Sequence, residues 1–358
     1  MEHAQTPKHA IDEELERLLA QQKKNIRVIG CGGGGNNTIN RIAEVGITGV
    51  ETIAINTDAQ DLLYCTCDKK ILIGKDSTKG LGAGSIPKVG EEAAKEQEKE
   101  LREALQGADM VFITCGLGGG TGTGSAPVIA EVAKKQGALV VGIVTTPFQM
   151  EGARRKDNAQ WGLEKLEENV DTLIVIPNDK LLEIAPNIPI STAFKLADEI
   201  LTNAVKGIAE LITKAGLVNL DFADIRTVMG KGGVALIGVG ESDTSNRAAE
   251  AVQNAINNPL LDADIKGANG ALINVIGGED LTLEEARGVV EVISENLDED
   301  ARIIWGAQIR KDLEGTVRVM IIVTGVKSSQ ITGSTQIKEQ RRAEKESFKG
   351  ELGIEFVD

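Results

Sequence analysis

One stretch limits this chain more than any other: Gly118-Gly119-Gly120-Thr121-Gly122-Thr123-Gly124-Ser125-Ala126, which follows the apolar run Met110–Thr114 and precedes the helix-patterned residues Val128–Lys135. Alternating glycines let a backbone curl until several N–H groups aim at one point, and a following helix adds its positive N-terminal end. Thr121, Thr123 and Ser125 contribute hydroxyl donors without charge. The combination suits a phosphate chain held mostly by main-chain amides. A flexible linker is the alternative, but linkers do not ordinarily join a buried strand to an apolar helix.

A second loop of the same kind stands near the start of the chain. Ile26–Ile29 reads as a strand, Gly30-Cys31-Gly32-Gly33-Gly34-Gly35-Asn36-Asn37 as a loop, and Thr38–Val45 as the helix it opens. Further strands are expected at Val50–Ile55, Ile71–Ile73, Leu139–Thr145 and Thr172–Ile176, with helices at Glu91–Leu105 and Ala153–Asn169. Strands alternating with helices imply an α/β fold: a parallel sheet covered on both faces, whose ligands gather at the carboxyl ends of the strands. Each glycine loop falls at such an end.

The apolar-periodic segment Ser191–Thr213 then reads as one long helix between two halves. From Val234 a second unit begins, with strands at Ala235–Val239, Ala271–Ile276, Arg302–Ile309 and Val317–Gly325 and helices at Ser245–Asn257 and Leu283–Asn296. Ending on two consecutive strands, it suggests a smaller α+β domain with a mixed sheet. The expected organisation is a polar N-terminal extension with a short helix (1–24), a Rossmann-like nucleotide-binding domain (25–190), a central helix and the loop after it (191–230), the α+β domain (231–326) and a polar tail (327–358).

Composition removes several classes of function. A net charge of −15 argues against nonspecific nucleic-acid binding and against a polybasic membrane anchor. No apolar run reaches bilayer length, and Met1–Lys24 is polar, unlike a signal peptide, so a cytoplasmic protein without membrane insertion is expected. The two histidines, His3 and His9, both lie in that polar segment, which leaves Ser-His-Asp, Cys-His and His-ligated metal chemistry hard to build. Cys31, Cys65, Cys67 and Cys115 are too few and too irregular for a disulfide framework, and no residue is assigned as a protein metal ligand. Carboxylates, amides and a cation held by oxygen remain.

Gly30-x-Gly32-x-x-Gly35, with Asp58 after the next strand, also satisfies the dinucleotide fingerprint, so an NAD(P)-dependent oxidoreductase is the strongest rival. A second phosphate loop suits a nucleoside triphosphate better. No GxxxxGK[ST] occurs. Phosphates are therefore expected on Gly33, Gly34, Gly35, Asn36 and Asn37 and on Gly119, Gly120, Thr121, Gly122, Thr123 and Gly124, with a magnesium ion balancing their charge. On the long helix, the ring of Phe194 could stack on a base while Asp198, one turn on, accepts from the two N–H groups of guanine. Core packing for Phe194 and a solvent-facing Asp198 is the other reading of the same spacing. Asp221 and Asp224 can be read as a helix cap, Glu151 and Arg155 as charges at a helix start, and Lys79–Ser85 as a surface loop.

The GGGTGTGSA run resembles the signature of the tubulin and FtsZ family of GTPases, and the chain agrees with the FtsZ branch from about Ile26 to Val326. The resemblance implies GTP and GDP as ligands and adds Asn37 and Asn178 to the nucleotide pocket. It implies contacts from Glu151 and Arg155 to the sugar and nearby groups, and Phe194 and Asp198 at the base. It implies that Lys79–Ser85 lies over the terminal phosphate. It also implies that Asn219, Asp221 and Asp224 reach the nucleotide of an adjacent subunit and act on the attacking water, so that hydrolysis follows head-to-tail assembly into division-ring filaments. A scaffold that assembles without hydrolysing is the remaining alternative. The apolar end of the tail, Leu352–Val357, reads as a docking peptide, and the resemblance implies a membrane-tethering partner for it at the division site.

Overall fold

The computed structural model describes residues 24–326, apart from 186–187, 215–216, 219, 262–264, 266–267 and 299. The short helix expected at 11–21, Asn219 and the tail from 327 lie outside the described residues. In chain order the elements are β1 (Ile26–Cys31), α1 (Gly32–Val45), β2 (Val50–Asn56), α2 (Ala59–Tyr64), β3 (Lys69–Leu72), α3 (Pro87–Glu96), α4 (Glu98–Leu105), β4 (Met110–Gly116), α5 (Thr121–Lys135), β5 (Leu139–Thr146) and α6 (Ala153–Asn169). They continue with β6 (Thr172–Pro177), α7 (Asn178–Ile184), α8 (Ile190–Thr213), α9 (Phe222–Met229), β7 (Gly233–Ser242), α10 (Arg247–Ile256), β8 (Gly270–Gly277), α11 (Leu283–Ser294), β9 (Arg302–Ile309) and β10 (Val317–Thr324).

The first six strands are parallel in the order β3-β2-β1-β4-β5-β6, as a doubly wound sheet requires. Sequential order reverses between β1 and β4, and a crevice opens there at the carboxyl ends. The second half adds a mixed sheet in which β10 runs antiparallel to both β7 and β8, with β9 parallel to β8. The two sheets are joined. β6 pairs with β7 through Thr172↔Gly233, Leu173↔Val234 and Ile174↔Ala235, which makes a single ten-stranded sheet.

Helix α8 is held by that junction. Its buried stripe Ala197, Leu201, Ala204, Val205, Ile208, Ala209 and Leu211 follows helical spacing and enters one core with Val28, Phe112 and Ile143 of the first half and Ile237, Leu272 and Ile322 of the second. The opposite face of the first sheet is covered by α3 to α6, and that of the second by α10 and α11.

Three boundaries differ from expectation. Helix α5 starts at Thr121, not Val128, so the alternating Gly/Thr residues are its first turns, and Pro127 lies inside it. Gly122 through Ala130 are all buried, so packing outweighs the poor helix propensity of this segment. Likewise α1 starts at Gly32 rather than Thr38. The single helix expected at Glu91–Leu105 is two helices parted at Gln97. There the Gln97 side chain accepts from the Gly74 amide, and Glu96 accepts from the Asp76 and Ser77 amides at 2.9 and 3.3 Å, anchoring the loop before α3.

Candidate functional site: a nucleotide crevice at the carboxyl edge

The first turn of a helix leaves backbone donors without intrahelical partners, and a protein ordinarily caps them with a side chain. Asp58 caps α2, Asp221 caps α9 and Thr282 caps α11. Neither α1 nor α5 has a side-chain cap or an acidic residue in its first turn. These two uncapped ends meet at the crevice. A Cβ on Gly32 would come within 2.8 Å of the Gly122 nitrogen, and one on Gly122 within 2.8 Å of the Cys31 carbonyl, so only glycine lets the two backbones interlock. The result is a pair of uncapped helix N-termini at one cavity, an arrangement whose chemistry suits an anion.

The cavity has a volume of 380 Å³, within the range of small-molecule sites. Of the residues expected at the nucleotide, Gly33, Gly34, Asn37, Gly119, Gly120, Thr121, Gly122, Glu151, Arg155, Asn178, Phe194 and Asp198 line it. Gly35, Asn36, Thr123 and Gly124 do not; they stand one layer behind. A Cβ on Gly35 would meet the Thr114 carbonyl at 2.6 Å, and one on Gly124 the Pro87 carbonyl at 1.9 Å. Thr123 Oγ1 accepts from the Gly118 amide at 2.9 Å. Asn36 Nδ2 donates to Asp61 Oδ2 at 2.9 Å, and Asn56 Nδ2 donates to the same oxygen at 2.6 Å. Asp61 thus holds the cradle from beneath, and no motif marks it for that role. Gly116, Leu117, Thr145, Pro147, Ala197 and Leu201 also line the cavity and had no motif to announce them.

At one wall, Glu151 accepts from the Phe148 amide at 2.9 Å and from Arg155 Nη1 at 2.5 Å, so the two charges are mutually paired at the lip. Asn178 Oδ1, buried at the end of β6, has no hydrogen-bond partner, leaving an acceptor for a ligand N–H or O–H. The Phe194 ring is 42% exposed and stands edge-on to Phe148 at 5.2 Å between centroids, which leaves a face open for stacking. Burial pushes the Asp198 carboxyl up to about 6, against the pull of Arg41 and with a contribution from neighbouring Glu199.

The Lys79–Ser85 loop abuts the cradle. Lys79, Gly80, Gly82, Gly84 and Ser85 all have positive φ, and Asn158 Nδ2 bridges the Ser85 carbonyl at 3.0 Å to the Gly118 carbonyl at 3.1 Å. Asp58, the residue that an NAD site would direct to a ribose, instead accepts from the amides of Gln60 and Asp61. Cys31, Cys65 and Cys115 are buried, with burial pushing the Cys65 and Cys115 thiols up to about 12. Among the described residues no group of three or more His, Cys, Asp or Glu could hold a metal ion.

Asp221 and Asp224 are far from this cavity. Helix α9 is tied to the opposite edge of the sheet: Arg226 Nη2 donates to the carbonyl of Gly137, just before β5, and Thr172 Oγ1, at the start of β6, donates to the Met229 carbonyl at 2.5 Å. The length of β5 alone separates the two edges by about 20 Å. Both aspartates are exposed.

Fold and site together define a doubly wound α/β protein with a glycine-lined crevice at the carboxyl edge of its sheet, the architecture of a nucleotide-binding protein. Residues 25–186 match the GTPase domain of the tubulin/FtsZ family, and residues 233–327 match the C-terminal domain of the FtsZ family. The chain is 62% identical over 340 residues to Cell division protein FtsZ 1 of Pyrococcus abyssi, covering 95% of this chain and 91% of that one. It is 55% identical over 353 residues to Cell division protein FtsZ of Methanothermobacter thermautotrophicus, covering 97% and 93%. Among solved structures, the empty FtsZ dimer of M. jannaschii superposes with a TM-score of 0.85 at 62% identity, covering 88% of this chain and 92% of that chain. The chain belongs to the tubulin/FtsZ family, and it is a GTPase of the FtsZ type. No helix among the described residues is long and apolar enough to cross a membrane.

Proposed function

We propose that this protein polymerises head to tail and that each GTP is hydrolysed between two copies. The single observation that carries the reading is the separation of the two half-sites: an amide cradle at the carboxyl edge of the sheet and a pair of exposed carboxylates at the amino edge. Among the described residues no carboxylate lines the cavity beside Gly33, Gly34 and Gly119 to Gly122, and Asp221 and Asp224 lie at the opposite edge of the sheet. Stacking copies along the strand direction closes that distance. The contact is heterologous, so it propagates into an open filament. Self-association is in keeping with the relative described as a dimer.

In this reading Gly33, Gly34 and Gly119 to Gly122 hold the phosphates, with Gly35, Asn36, Thr123 and Gly124 shaping the loops from behind. Asn37, Asn178, Glu151 and Arg155 face the sugar, and Phe194 and Asp198 take the guanine. Asp221 and Asp224, with Asn219, orient or polarise the attacking water of the neighbouring copy's nucleotide. A magnesium ion fits the donor chemistry only as a companion of the nucleotide: the cradle supplies amides and the Thr121 hydroxyl, so phosphate oxygens and water would make most of its ligands. Bound there, it would neutralise charge developing on the phosphates. The cellular role is filament formation at the division site, with residues 352–357 docking a membrane tether.

A mixing experiment tests the shared site. Asp221→Ala should bind GTP normally and lose at least about 100-fold in turnover. Asp198→Asn should bind GTP poorly but keep its aspartates. Mixed, the intact cradle of the first and the intact acids of the second form complete sites, so turnover should exceed the sum of the two alone. Activity that is merely additive, or an Asp221→Ala variant with normal turnover, defeats the proposal.

A further inference from the structure

Alongside the base end of the cavity runs a groove of 680 Å³ whose lining includes Asn37, Arg41, Glu44, Phe194, Asp198 and Glu199. Arg41 stands on α1, the helix whose first turn forms half of the phosphate cradle. Its Nη2 donates to Glu199 Oε1 of α8 at 2.5 Å, and its Nη1 donates to Glu44 Oε2 at 2.8 Å. One guanidinium therefore ties α1, whose first turn lines the cavity, to α8, in a groove shared with Asp198, a carboxylate with no hydrogen-bonded cation among the described residues.

We infer that Arg41 is a positioning and specificity-determining residue: it keeps the Asp198 carboxyl in the ionised form that reads guanine. The inference rests on Asp198 being the base reader. An ionised carboxylate offers two acceptors, which match the N1–H and 2-amino donors of guanine. A protonated one offers a donor and an acceptor, which match N1 and the 6-amino group of adenine instead. The charge on Asp198 is thus a choice between bases, and its surroundings make that choice a close one. Burial favours the neutral acid, Glu199 does the same, and Arg41 opposes both. The other charged groups lining the groove and the adjoining cavity are Glu44, Lys195, Glu151 and Arg155; the last pair is self-neutralised. Glu199 and Glu44 both draw on the same guanidinium, so its field is shared and its position fixed at once.

The test measures equilibrium binding of GTP and of ATP by the full-length protein, Arg41→Gln, Arg41→Lys and Asp198→Asn from about pH 5 to about pH 8.5. For the unaltered protein GTP affinity should fall about fivefold between about pH 6 and about pH 5. In Arg41→Gln the fall should begin at higher pH. At about pH 6.5 GTP should bind at least roughly threefold more weakly and discrimination against ATP should narrow, with GTP affinity returning to within about twofold near pH 8.5. Arg41→Lys keeps a cation and should keep the original profile. A profile for Arg41→Gln that superimposes on the original, or a loss equal at every pH, overturns the inference, because a brace between helices would not respond to protons. Asp198→Asn should be flat with pH; if it retains pH-dependent GTP binding, the fault lies with Asp198 as the base reader rather than with Arg41.

Discussion

Single glycines in the two cradle loops do different jobs, and the space around each one separates them. Gly124 carries no open face: a methyl group there would sit 1.9 Å from the Pro87 carbonyl, so α3 and α5 could not approach. Gly119 has nothing within 4 Å of its would-be Cβ and ordinary backbone angles, and it lines the cavity. Gly124→Ala should therefore destabilise the protein by at least about 2 kcal/mol, read as a lowered midpoint in chemical denaturation. Gly119→Ala should leave that midpoint within about 0.5 kcal/mol and weaken GTP binding instead. Equal stability loss in both variants would mean that the loop responds as one unit. From composition alone the two residues were indistinguishable, since both belong to the same Gly/Thr alternation; only the proximity of α3, set by residues some thirty positions earlier, tells them apart.

At the level of the element, α11 shows how a helix start in the second half is secured. Thr282 and Glu285 form a capping box, and Arg247 on α10 donates to Glu285 Oε1 at 2.7 Å while also pairing with Asp280. The Arg247 guanidinium holds Glu285 down to about 2, below its ordinary 4.5. A depressed carboxyl stabilises the fold above its unfolded value and loses that contribution as pH falls toward the folded one. Stability should therefore decline between about pH 4.5 and about pH 2, and Arg247→Met should flatten this part of the curve while lowering the plateau above it. An unchanged acid limb in the variant would place the titrating groups elsewhere.

Elements of this kind were largely legible in the sequence: the six parallel strands, α8 and the restart at the second half all follow from apolar periodicity. The early start of α5 was not, because burial overrode glycine's poor propensity. Nor was the break at Gln97, which depends on amides of residues 74, 76 and 77 reaching across from another loop. The three-residue pairing of β6 with β7 joins positions about sixty residues apart and leaves no local trace. Asp61 was invisible for the same reason: nothing in its neighbourhood marks it as the support beneath Asn36.

For the whole molecule, the proposed shared site would make turnover a property of contact between copies. Phosphate release should be nearly absent at low protein concentration and then rise steeply once copies meet, rather than in proportion to protein from the start. A titration that is linear through the origin would mean that each molecule completes its own site. The aspartate pair could be found in the sequence as residue types and spacing, but the edge of the sheet on which it lies could not, since that depends on Arg226 and Met229 docking at the beginnings of β5 and β6.

One consequence of that two-ended layout concerns the tips of a growing row. Under the proposed stacking, every junction completes one reaction centre, so a row always has one fewer centre than it has members. The outermost molecule whose cradle faces open solvent keeps its triphosphate intact, with no neighbour to cut it, while everything inside the row ages toward diphosphate. The two tips would then come to differ chemically as hydrolysis proceeds, and a row would carry its own arrow of time from the fresh end to the spent one.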